Sequence, residues 1–111
     1  MQVEVQAIGM DLPTSTYQGI KNKLLHTFDF AKQKVRKVDL RVFREESAGA
    51  GLITCRVHAL VMGVPNVVIE SQSPHVHIAT KDAINNAYRA VLKHIDRKRS
   101  GRRKLLTLKK D

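Results

Sequence analysis

The chain has 111 residues, and its 20 Lys and Arg outnumber its 10 Asp and Glu, for a formal net charge of +10 at pH 7. That length fits one domain, and a hydrophobic content of 42% excludes wholesale disorder. A single cysteine, Cys55, excludes an internal disulfide framework and a multi-cysteine zinc knuckle.

Residues 2–8 alternate, with Val3 and Val5 on one side and Glu4 and Gln6 on the other, as in a strand with one wet face. The segment Gly9 to Pro13 ends it. A helix is expected from Pro13, which is tolerated in a first turn, with Thr14, Ser15 or Thr16 available as cap. Tyr17, Ile20, Leu24, Phe28 and Ala31 recur at spacings of three and four, forming one apolar stripe that leaves out Lys21, Lys23 and Lys32. Residues 37–44 alternate again, Val38, Leu40 and Val42 against Asp39, Arg41 and Phe43. Glu45 to Gly51, with its Ala-Gly-Ala-Gly, reads as a loop.

The longest strand candidate is 52–62. Ile53, Cys55, Val57, Ala59 and Val61 fall on one face, and Thr54, Arg56, His58 and Leu60 on the other. Gly63 to Asn66 reads as a hairpin connection, and residues 67–72 as the partner strand with Val67 and Ile69 inward. Ser73 to Thr80 is ambiguous: Pro74 interrupts the strand, while Val76 and Ile78 suggest that it resumes. A last helix is expected near Lys81 or Asp82, with Ile84, Ala87, Tyr88, Val91, Leu92 and Ile95 as its apolar face. Arg89, Lys93 and Arg97 follow at intervals of four as a basic stripe, and Gly101 is the expected stop. The order β-α-β-β-β-α predicts an α+β two-layer sandwich: a hairpin-rich antiparallel four-stranded sheet with two helices packed on one face. Residues 1–99 form the expected domain and 100–111 a basic, flexible tail.

The charge is unevenly spread. Residues 93–111 hold nine basic side chains against two acids, a net +7, and residues 1–92 hold eleven against eight, a net +3. A one-signed patch of this kind attracts phosphate polyanions without reading bases. The competing readings are a solvated tail that aids solubility and an anionic membrane surface. Residues 98–111 offer only Leu105, Leu106 and Leu108 to a membrane, which is too little apolar face to insert. No apolar run approaches the roughly 18 residues of a membrane span, and the alternating start lacks the basic opening of a signal peptide. A cytoplasmic protein is expected.

Enzymatic chemistry finds little support. His75 and His77 would share one face of a strand near His58, but surface histidines are the better reading than a metal site. Cys55 alternates with inward apolar residues, as a buried thiol does. Asp39, Glu70 and Asp82 form no acid–base pair, and Ala48-Gly49-Ala50-Gly51 lacks the Lys and helix start of a phosphate loop. No catalytic residue, metal, cofactor or small-molecule substrate is expected. The aromatic content of 5%, without Trp, argues against a base-stacking platform.

The register of Gly9, Leu12-Pro13, Ile20 and Lys23-Leu24, followed by Ala83-Ile84-Asn85 and the spaced Lys93, Ile95, Arg97 and Arg99, resembles the ribosome hibernation promoting factor family. This family is also called ribosome-associated inhibitor, protein Y or sigma-54 modulation family. The likeness spans about residues 1–99. The last helix departs from the family at Ala79-Thr80-Lys81-Asp82, where Asp-Met-Tyr is usual, and Ser71 to Thr80 looks longer than usual. The resemblance implies a short-form factor, monomeric, that binds the small ribosomal subunit and its rRNA in the mRNA and tRNA channel and inhibits translation under stress or in stationary phase. The basic flanks of the two helices and the charged end of the chain supply the expected rRNA contacts: Lys21, Lys23, Arg89, Lys93, Arg97, Lys98, Arg99, Arg102 and Arg103. Two other readings stand beside it: a general double-stranded RNA or ribosome-assembly binder, and a protein-interaction module modulating a transcription factor.

Overall fold

The computed structural model describes residues 1–44 and 51–110, with side chains in the last helix described as far as Ile95. Its elements are β1 (Gln2–Ile8), α1 (Thr14–Thr27), β2 (Val35–Arg44), β3 (Ile53–Val61), β4 (Val67–Ser73) and α2 (Val76–Lys110), with a short 3-10 turn at Asp29–Ala31 after α1. The α+β order β-α-β-β-β-α is the expected one, and the loop expected over 45–51 lies, apart from Gly51, outside the described residues.

The strands lie in the order β1-β2-β3-β4. β2–β3 and β3–β4 are antiparallel, but β1 runs parallel to β2, with Val3 opposite Val38 and Val5 opposite Leu40. The sheet is therefore mixed, not the antiparallel sheet expected. The cause is α1, which lies between β1 and β2 in sequence and carries the chain back, as a parallel pair requires. Gly63 closes the β3–β4 connection at φ +72°, a left-handed conformation that favours glycine.

Alternation along the strands sends Val38, Leu40, Val42, Cys55, Val57 and Ala59 into the core, where each is fully buried. Ile20, Leu24, Phe28 and Ala31 meet them from α1 and the turn behind it, as the stripe predicted. No hydroxyl caps α1, contrary to the sequence expectation. Pro13 holds the cap position, and its carbonyl accepts a hydrogen bond from the Tyr17 amide at 2.9 Å.

The second helix departs from expectation at both ends. It starts at Val76, five residues before Lys81, so only Pro74 and His75 separate it from β4. The apparent alternation of Val76 and Ile78 is short-lived; the governing period is Val76, Ala79, Thr80, Ala83 and Ala87. Ala79, Ala83 and Ala87 are fully buried, but alanine is a weak hydrophobic signal in a sequence. Local hydrogen bonds fix the early start. The His75 amide donates to Ser73 Oγ at 3.2 Å, and the Ala79 amide donates to the His75 carbonyl at 3.0 Å. Thr80 turns its hydroxyl back to the Val76 carbonyl at 2.8 Å.

At the other end the helix passes through Gly101 to Lys110. One glycine costs a helix only about 1 kcal/mol, and the Arg, Lys and Leu around it are good helix formers. With 35 residues, α2 spans about 52 Å at 1.5 Å per residue, against about 30 Å for the nine-residue β3. The helix therefore runs well past the sheet that supports it.

Candidate nucleic-acid interface

The two faces of the molecule handle charge in opposite ways. On the sheet face turned away from the helices, neighbouring charges answer one another. Lys37 pairs with Glu4 at 3.4 Å, Arg41 with Asp39 at 3.5 Å and Arg56 with Glu70 at 2.7 Å. Arg56 also lies over the Phe43 ring, 5.5 Å from its centroid. Gln72 donates to Thr54 at 3.3 Å on the same face.

The helix side is different. α1 contains Lys21, Lys23 and His26 and no acid. From Val76 to Ile95, α2 contributes Lys81, Arg89 and Lys93 against the single acid Asp82. Lys23, Lys81, Arg89 and Lys93 are exposed, Lys21 is half-buried, and none of them takes part in an ion pair among the described residues. Exposure follows from helical spacing. With Ala83, Ala87 and Val91 facing the sheet, Lys81, Asn85, Arg89 and Lys93 recur every four residues on the outer side. A row of unpaired cations on a rigid helix attracts phosphate without distinguishing one base from another.

Of the residues assigned from sequence, the fold brings Lys21, Lys23, Arg89 and Lys93 onto this helical side. The side chains of Arg97, Lys98, Arg99, Arg102 and Arg103 lie outside the described residues; their backbone continues α2. Sequence reading missed Lys81 and His77. Both lie in the first turns of α2 and line a groove against α1, opposite Ser15, Thr16 and Lys23. Placing the helix start at Ser73-Pro74 would have found them, because a Ser-Pro pair is a usual helix-entry signal.

The histidines do not gather. His58 lies on the open sheet face directly opposite Asp39, whereas His75 precedes α2 and His77 is within it. Among the described residues no group of three metal-ligating side chains forms. Cys55 is fully buried, and burial pushes its thiol up to about 12, which leaves it protonated near neutral pH. No helix among the described residues is long and apolar enough to cross a membrane.

No protein-family model matches the chain, and no curated protein matches it closely in sequence. Solved structures do match. A ribosomal subunit interface protein from Coxiella burnetii superposes with a TM-score of 0.71 at 9% identity, over 86% of this chain and 99% of that one. The chain shares that protein's fold. The N-terminal domain of Thermus thermophilus Protein Y superposes with a TM-score of 0.65 at 10% identity, over 82% of this chain and 96% of that one. Because each neighbour is covered almost whole, the likeness extends to the complete β-α-β-β-β-α unit and not to one hairpin or helix pair. At such identities it is the backbone plan, not the surface residues, that the proteins have in common.

Proposed function

We propose that this chain is a ribosome hibernation factor of the protein Y type, which docks on the small ribosomal subunit and blocks translation. The observation that carries the reading is the segregation of charge. Lys21, Lys23, Lys81, Arg89 and Lys93 on the helices have no ion-pair partner among the described residues, while Lys37, Arg41 and Arg56 on the open sheet face are matched by carboxylates. A protein that merely needed solubility would mix its signs on both faces. Neighbours of the same fold bear the names ribosomal subunit interface protein and Protein Y, which directs the reading to the ribosome.

In this reading Lys21, Lys23, Arg89 and Lys93 position the body on rRNA phosphates, and Arg97, Lys98, Arg99, Arg102 and Arg103 extend the contact along α2. Docking excludes mRNA and tRNA by occupying their space, so no bond is made or broken and no cofactor is called for. The site of action is the cytoplasm, and the chain acts as a monomer.

Two measurements test this. The protein should sediment with small subunits at low salt and be released at high salt, and it should inhibit translation in vitro. Equal binding to naked duplex RNA and to small subunits, without inhibition, would favour a general double-stranded RNA binder.

A further inference from the structure

We infer that the groove between the first turns of α1 and α2 is a seat for one RNA backbone phosphodiester, gripped from opposite walls by Lys23 and Lys81. The inference rests on the ribosome-binding reading and deepens it, by naming a contact that the resemblance does not assign.

The groove has a volume of about 420 Å³. Ile20 and Ile84 line it between the helices and are both buried, so part of its lining is packed core. Lys23 belongs to one helix and Lys81 to the other, and neither has a carboxylate partner among the described residues. Ser15 offers a hydroxyl, and His77 offers a ring N–H in either protonation state. No acid lines the groove; Asp82, next to Lys81, lies outside it. Two lysines from opposite walls, with a hydroxyl and an imidazole N–H in the same lining, suit an anion with several acceptor oxygens.

The groove fits a backbone phosphate better than a free nucleotide. No Phe, Tyr or Trp lines it, so a base would find only the single His77 ring to stack on. Its cations also continue along α2 into Arg89 and Lys93, as a polyanion running down the helix would need.

Gly19 provides a test that spares the fold. It sits in the groove wall within α1, and a Cβ built there would meet nothing within 4 Å. Replacing a mid-helix glycine by Glu or Gln favours the helix, so neither Gly19→Glu nor Gly19→Gln should unfold the protein. The two side chains have the same size and differ in one charge. At one fixed salt concentration, Gly19→Glu should bind small subunits about tenfold more weakly than Gly19→Gln, as expected for one added charge a few ångströms from a phosphate. In parallel, titrating the wild type with inorganic pyrophosphate should shift the amide resonances of Ser15, His77 and Lys81 first, and Lys81→Ala should abolish those shifts.

Equal affinities of the two Gly19 variants would overturn the proposal, even if both still bind small subunits. Pyrophosphate shifts confined to other surfaces would overturn it as well. Failure of the wild type to bind subunits at all would instead overturn the ribosome reading, and the pyrophosphate titration distinguishes the two failures.

Discussion

Arg56 donates from Nε to one carboxylate oxygen of Glu70 at 2.7 Å, and its Nη2 lies 2.7 Å from the same oxygen, across the antiparallel β3–β4 pair. This contact neutralises a strand cation that could otherwise compete for RNA. Both partners are nearly half exposed, so the pair contributes little to stability. Glu70→Gln should change the unfolding free energy by no more than about 1 kcal/mol in urea titration. Its affinity for small subunits should stay within about twofold of wild type. A loss of binding would bring the sheet face into the interface.

The outer stripe of α2 should respond in the opposite way. Arg89→Glu combined with Lys93→Glu should weaken subunit binding by more than tenfold near 0.1 M salt. Each lost phosphate contact also removes about 0.7–0.9 from the slope of log affinity against log salt, so the double variant should lower that slope by roughly 1.4–1.8. Both residues are exposed, and the variant should fold normally by circular dichroism.

Phe28 closes the core where α1 gives way to the 3-10 turn, and it is fully buried. Phe28→Ala should cost about 3–5 kcal/mol of stability in urea unfolding. Since Phe28 contributes nothing to the outer surface, the fraction still folded should bind subunits with wild-type affinity.

The body of the fold was legible in the sequence because its signals were strong and local. Alternation in Val38-Leu40-Val42 and Ile53-Cys55-Val57 marked the strands, and Ile20, Leu24 and Phe28 marked α1. What escaped depended on weaker or longer-range physics. The parallel β1–β2 pairing is decided by where α1 leaves the chain, not by any residue of β1. The early start of α2 rests on alanines and on Ser73 receiving the His75 amide, whereas Val76 and Ile78 imitate a strand over four residues. That one boundary hid half of the groove, because His77 and Lys81 line it only as part of a helix. The unpaired state of Lys23 and Arg89, and the paired state of Arg41 and Arg56, follow from side-chain neighbours that no spacing rule reveals.

Cys55 makes stability depend on alkaline pH. Its thiol titrates near 9 when unfolded and near 12 when buried in the fold. Above pH 9 the unfolded chain therefore loses this proton first, and folding becomes less favourable as pH rises towards 12. The loss attributable to this group approaches about 1.4 kcal/mol per pH unit in that window and is absent below it. Cys55→Ala should remove most of this dependence, which urea titrations at pH 8 and pH 10 would read. A thiol reagent should label native Cys55 only as fast as the protein opens.

The extension of α2 beyond the sheet supplies charge and no part of the described core. A chain ending at Arg99 lacks Arg102, Arg103, Lys104, Lys109 and Lys110. It should unfold within a few degrees of the full chain in a thermal melt. Its subunit binding should be weaker and less steep in salt, which assigns the basic end to affinity and residues 1–99 to the fold.

The most direct test is quantitative sedimentation of the protein with purified small subunits across a salt series, comparing wild type with Arg89→Glu/Lys93→Glu and with Glu70→Gln. The account predicts tight, salt-sensitive binding for wild type and Glu70→Gln, and weak binding with a flattened salt slope for the helix variant. Binding that is indifferent to salt, or lost in Glu70→Gln while kept in the helix variant, would contradict it.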